Sequence, residues 1–270
     1  EVRDRWLLFV RPQAFAGSGI RYVPPRNGEP KVGRRRVSVR ESKDLRNWTS
    51  THTVLVPEED DPDYFYGMCV FRRGDLCLGL LQRYSSATNE IVMELAWSGD
   101  GLTWSRLPIR EDAVLLDVGP AGSWDAGMVA TVDRPVTMGD EFWFYYGGHH
   151  KTHQYTDSIS AVGIATTKRD RLLAVEASGN DGRLLTRPMP VTGNLRVNAE
   201  AKGQLRVSVH DVSDRVLPGW SAEDCRPFSG DALDAEIHWN GKSLSALRGQ
   251  MVRLRFHFDN ARLYTFDLRP

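Results

Sequence analysis

A chain of 270 residues with 35 basic and 35 acidic side chains carries no net charge, so composition gives no reason to expect a polyanion such as nucleic acid as partner. Eight Trp, eight Tyr and ten Phe suit β structure, and no apolar run approaches the roughly 20 residues of a membrane helix, so no membrane partner is expected. Three cysteines, Cys69, Cys77 and Cys225, neither close a disulfide set nor show zinc spacing, and all three are expected reduced and buried.

The chain opens on a strand, Trp6 to Val10, with nothing like a signal peptide before it. Residues 1–50 read as the later strands of a blade that starts upstream, so an N-terminal truncation is expected. A strand from Val37 runs into the turn Ser42-Lys43-Asp44, followed by Trp48. The first complete unit begins near Asp63. In it, Gly67-Met68 opens a strand that reaches a turn at Arg73-Gly74, which would set Cys77 opposite Val70. Leu76 to Leu81 and a strand from Glu94 to Ser98 follow, closed by the turn Ser98-Gly99-Asp100 and Trp104. The pattern then repeats: Gly127-Met128 lies 60 residues after the first Gly-Met, and Gly139-Asp140 lies 65 after Gly74-Asp75. A strand from Glu141 to Tyr146 and a third, Gly163 to Asp170, complete that copy. Short strands repeated at this period are the pattern of propeller blades, and no segment keeps a helical period.

From about Gly182 the pattern changes to plain alternation. Leu195 to Ala199 and Leu205 to Val209 read as a hairpin across a Lys202-Gly203 turn, and Glu236–Trp239, Val252–Phe258 and Leu263–Leu268 read as further strands. The alternating arginines of the last strands read as a solvated face. The expected fold class is all-β: an incomplete β-propeller of about three blades over 1–181, then a β-sandwich over 182–270.

The Ser-x-Asp-x-x-x-Trp turns, the Trp124-Asp125-Ala126-Gly127-Met128 strand start and the strand ending Tyr145-Tyr146-Gly147-Gly148 resemble the five-bladed propeller glycoside hydrolases of families 32 and 43. A sandwich after the propeller is similar to family 32. The resemblance implies an enzyme acting on a plant or microbial oligo- or polysaccharide, furanosides among them, secreted or periplasmic. It also implies a catalytic Asp on a first blade, for which this chain has no match. No cofactor is expected, calcium in the funnel and the oligomeric state are left open, and the alternative is a non-catalytic carbohydrate-binding propeller or inactive fragment.

Glycoside hydrolysis needs two carboxyl groups, one held protonated and one ionised, and a propeller presents them from its inner strands. Asp125, beside a Gly-Met start and flanked by Trp124, is the first candidate, with burial expected to raise its pKa. A structural Asp bonded to backbone amides is the alternative. Asp61 and Asp63 precede the matching strand, within an acidic run that also suits a solvated loop. Glu94, on a third strand, is a weaker candidate acid, and Glu141 reads as solvated. For substrate contact the candidates are Tyr66, Trp124, His149 and His150, with His153 in the same loop and plain surface as the alternative for the histidines. Arg11 and the run Arg34-Arg35-Arg36 are candidates for a sugar carboxylate or sulfate, although a solvated hairpin also explains the run.

Overall fold

The computed structural model describes residues 4–10, 35–57, 64–107, 113–131 and 133–270. Among the described residues, twenty strands and one 3-10 turn make an all-β protein, a partial propeller followed by a second β unit. The chain divides into two compact units, Glu1–Val136 with Trp143–Thr166, and Thr137–Phe142 with Thr167–Pro270.

In the first unit, β1 (Trp6–Val10), β2 (Val37–Ser42) and β3 (His52–Leu55) form a three-stranded antiparallel sheet. The next blade is β4 (Tyr64–Arg73), β5 (Leu76–Tyr84) and β6 (Ile91–Ser98), edged by β7 (Ser105–Arg106) and β8 (Val114–Leu116). A third group, of which residues 137–142 and 167–168 fall in the second unit, holds β9 (Met128–Thr131), β10 (Val136–Met138), β11 (Glu141–His149) and β12 (Ser160–Lys168). Met128 starts β9 as expected, whereas Gly67 lies inside β4, at a register shift between Phe65 and Gly67. The β4–β5 turn is Gly74-Asp75, one residue later than expected, so Cys77 faces Arg72 and not Val70. Gly74 takes φ +58, which the tight turn needs. Cys77 and Cys225 are buried and Cys69 only partly so, and all three are free thiols.

The Ser-x-Asp turns repeat bond for bond. Ser42 Oγ accepts the amides of Asp44 and Leu45, Asp44 Oδ1 accepts those of Arg46 and Asn47, and the Trp48 indole donates to the Leu45 carbonyl. Ser98, Asp100 and Trp104 make the same five bonds to Asp100, Gly101, Leu102, Thr103 and the Gly101 carbonyl. Short polar side chains here satisfy the backbone of the turn, so the motif needs no distant partner. Those bonds pull the Asp44 carboxyl well below the usual carboxylate range. The residue after the Asp is left-handed in both copies, Leu45 at φ +61 and Gly101 at φ +76. Trp104 then packs edge-on against Phe9, at 5.6 Å between ring centroids. The third copy has Lys168 where the serine stands in the other two, so this serine-based bond set cannot form there.

In the second unit, β13 (Val175–Ala177), β14 (Gly182–Leu185), β15 (Met189–Pro190), β16 (Asn194–His210), β17 (Phe228–Glu236), the short pair β18 (His238–Trp239) and β19 (Lys242–Ser243), and β20 (Met251–Arg269) surround one core. β13 pairs with β20, so the second unit starts upstream of the 181/182 boundary expected from the sequence. The expected hairpin at Lys202-Gly203 is absent: β16 runs through it as one 17-residue strand paired along 19-residue β20. The register shifts by a bulge there, opposite Asn260 at φ +44. Leu195, Val197, Ala199, Ala201, Leu205, Val207 and Val209 all face the core, in phase on both sides of the bulge. Trp220, Trp239 and Leu244 close that core from segments outside the long strands. Among the described residues no helix is long and apolar enough to cross a membrane.

Candidate functional site

The strand register lines up one end of the first unit's large sheet. Tyr64 of β4 faces Tyr84 of β5, Tyr84 faces Ile91 of β6, Ile91 bridges Met128 of β9, and Met128 faces His149 of β11. Side chains from four loops and strand ends therefore share a single rim. Two clusters stand on it.

The first is built around Asp125. Its Oδ1 accepts the Ser123 hydroxyl at 2.7 Å, and its Oδ2 accepts the Tyr146 hydroxyl at 2.8 Å. The Tyr146 ring stacks on Trp124, with centroids 5.5 Å apart and planes 22° from parallel, and Trp124 remains 38% exposed. Gly148 leaves room for this stack, since a Cβ there would fall 2.4 Å from the Trp124 ring and 2.6 Å from the Asp125 Cβ. The expectation of a raised Asp125 pKa is corrected. The Ser123 hydroxyl, followed by that of Tyr146, holds the carboxyl below its ordinary value and outweighs the opposing effect of burial. Burial, reinforced by the Asp125 carboxylate, pushes the Tyr146 phenol up to about 12, so it stays the proton donor of the pair. The Ser123 and Tyr146 hydroxyls are the side-chain partners of Asp125, and its own backbone amide adds to the hold on the carboxyl.

The second cluster is aromatic. Tyr66 lies 5.3 Å from Tyr84 and 4.8 Å from the His153 ring, and His153 lies 5.4 Å from Tyr84. The Tyr84 hydroxyl donates to Asn89 Oδ1 at 2.6 Å, and the His153 amide donates to the Asn89 carbonyl at 2.9 Å. The two clusters share the loop after β11. Gly127 lies against the Lys151–Thr152 backbone, where an added Cβ would be 2.1 Å from the Lys151 carbonyl carbon. His153 is two residues further on.

The remaining sequence candidates separate clearly. Glu94 is fully buried, its two oxygens taken by Arg106 at 2.6 and 2.9 Å, with Arg83 Nε 3.0 Å from Oε2. Buried inside the sheet between two guanidiniums, Glu94 has no route to substrate, so its reading as an acid is corrected. His149 bonds Ser160 Oγ at 2.8 Å, and His150 Nδ1 accepts the Ile159 amide at 2.8 Å, which ties both rings to the start of β12. Asp61, Asp63 and Arg11 lie outside the described residues. No cluster of three or more metal-ligating side chains occurs among the described residues. Sequence reasoning passed over Tyr84, Asn89 and Ser123; strand register is the signal that would have found the first two.

No protein-family model matches the chain, and no curated protein sequence does. Among solved structures it is similar to an N-acetylgalactosamine deacetylase from F. plautii, at 18% identity and TM-score 0.42, over 62% of this chain and 47% of that one. It is also similar to a beta-1,2-mannobiose phosphorylase from Listeria innocua, at 15% identity and TM-score 0.40, over 61% and 38%. A GH32 beta-fructofuranosidase from Bombyx mori is similar over 97% of this chain and 76% of its own, at 12% identity and TM-score 0.33. The chain spans less than half the length of the first two. What the rim can do chemically follows from the chain's own residues.

A different polar chain occupies the second unit. His210 Nδ1 meets only acceptors, Asp214 Oδ1 at 3.0 Å and the Asp214 carbonyl at 3.2 Å, so it carries the proton. The Ser208 hydroxyl pairs with His210 Nε2 at 2.9 Å and with His257 Nε2 at 2.8 Å. The order resembles a nucleophile–base–acid relay, but Ser208 is only 2% exposed and roofed by His257, which suits a structural network better than an attacking hydroxyl.

Proposed function

We propose that this chain belongs to a carbohydrate-active hydrolase that cleaves glycosidic bonds at the rim of its partial propeller, with Asp125 as the ionised carboxylate. One observation carries this reading: a carboxylate held ionised by two hydroxyls beside a partly exposed tryptophan. Sugar rings stack on such aromatic faces, and an ionised carboxylate beside them serves as nucleophile or as base toward water. The chain's residues divide the work. Trp124 positions the ring, Tyr146 and Ser123 fix the carboxylate's orientation, and Tyr146 keeps its own proton. The second carboxyl, the acid, is proposed at Asp61 or Asp63, ahead of the β4 end of the same rim. A carboxylate pair needs no cofactor, and none is proposed. For a polymeric glycan, furanosides included, we propose that the protein acts outside the cytoplasm.

The test is a screen of aryl glycosides and polysaccharides for release of reducing ends, with Asp125→Asn beside the parent chain. Turnover by the parent and its loss in the variant, with glycan binding retained, is the expected result. Glycan binding by both without turnover by either would replace the hydrolase with a binding propeller.

A further inference from the structure

The aromatic cluster on the rim includes a permanent positive charge, which bonds a carboxylate more strongly than a neutral hydroxyl. The Arg35 guanidinium lies over the Tyr66 ring, its carbon 4.1 Å from the ring centroid. Among the described residues no carboxylate pairs with it. A guanidinium carries its N–H donors in one plane as a fork that matches the two oxygens of a carboxylate. The neighbours suit the rest of a sugar. Tyr66 and His153 present ring edges and faces, and Asn89, whose Oδ1 is taken by Tyr84, leaves its NH2 group to donate to a hydroxyl. Burial and the nearby Tyr66 push the Tyr84 phenol up against the pull of Arg35, so it remains a neutral donor.

From these contacts we infer that Arg35, Tyr66, Tyr84, Asn89 and His153 form a subsite for a sugar ring bearing a carboxylate, which makes the glycan of this protein one that contains uronic acid. The inference rests on the proposed function in taking the ligand to be a glycan. The placement supports it, because Lys151 packs on Gly127 near Asp125 and His153 packs on Tyr66. Two residues of chain span at most about 7 Å. The loop after β11 thus joins the two clusters, and a glycan lying along the rim would meet both.

The experiment uses calorimetric titration of the chain with di- and trisaccharides of galacturonic and glucuronic acid, each beside its neutral counterpart of the same linkage. At least one acidic sugar is expected to bind about tenfold tighter than its neutral partner, the gain of one charge-assisted contact. High salt shrinks that margin. Arg35→Met erases the margin, while Arg35→Lys, which keeps the charge and loses the planar fork, retains part of it. Because Arg35 meets β4 through its backbone carbonyl, bonded by the Phe65 amide, neither change removes that bond. Equal affinity for every acidic and neutral pair, or an unchanged margin in Arg35→Met, overturns the inference. Asp125→Asn, run alongside, separates the two readings. An Arg35-dependent margin with no hydrolysis by the parent leaves the subsite and removes the enzyme. Asp125-dependent hydrolysis of neutral glycans with no acidic preference does the reverse.

Discussion

Replacing Tyr146 with Phe removes one hydroxyl and little else. The ring that stacks on Trp124 at 5.5 Å is kept, and so is the Ser123 bond to Asp125 Oδ1. What is lost is a 2.8 Å hydrogen bond to a charged oxygen in a partly buried setting. Bonds to charged groups contribute about 1.5–3 kcal/mol. Spread over the two protonation states, the lower part of that range raises the Asp125 pKa by about one unit. A carboxyl whose folded pKa lies below its unfolded value adds stability above the unfolded value, and that stability is lost as pH falls through the folded one. Tyr146→Phe therefore moves the Asp125 titration upward and trims the stability that Asp125 adds at neutral pH. Carboxyl-carbon NMR titration of parent and variant reads the first effect directly, and the acid limb of any pH–rate profile should move with it. An Asp125 pKa that stays put, or falls, would refute the assignment of Tyr146 as the proton donor.

Three further outcomes are expected. Glu94→Gln leaves two largely buried guanidiniums without their counter-charge and should cost about 3–5 kcal/mol in urea unfolding, whereas a loss under about 0.5 would restore a role for Glu94 other than structure. Leu45→Gly relieves a left-handed residue at a position where the sister turn already has Gly101, and should raise the unfolding free energy by about 0.5–1 kcal/mol; a net loss would mean the turn is not strained. His257 is held below its ordinary 6.5 by burial and then by Arg183, Arg255 and His210, against the opposite pull of Glu223. Unfolding lets it take up a proton, so stability should rise with pH through the ordinary histidine range and level off above it. His257→Gln should flatten that slope in unfolding curves taken across the range, and an unchanged slope would place the pH dependence elsewhere.

What the sequence disclosed was mostly local. The Ser-x-Asp turns were legible because the side chains bond their own backbone within three residues, and each formed as its pattern implied. Longer-range features were misread for a common reason. Lys202-Gly203 resembles a hairpin turn in isolation, yet the apolar residues keep the same parity on both sides of it, which is the mark of one continuous strand. Asp125 was assigned a desolvated environment from its chain neighbours, whereas Tyr146, 21 residues away, supplies one of the two hydroxyls that set its charge. Glu94 meets its arginines across two hairpins, and only register places Arg83 and Arg106 beside it. The rim itself is a register fact: Tyr84, Met128 and His149 have no sequence relation that would bring them together.

The most direct test of Asp125 as the working carboxylate is the rate of glycosidic bond cleavage by parent and Asp125→Asn chains at saturating glycan. The variant keeps the shape of the side chain and its place beside Trp124 but loses the charge. A fall of about a thousandfold or more in kcat, with glycan affinity within a few-fold of the parent, is the predicted result. Cleavage by Asp125→Asn at a rate near the parent's would contradict the account and move the chemistry to other residues.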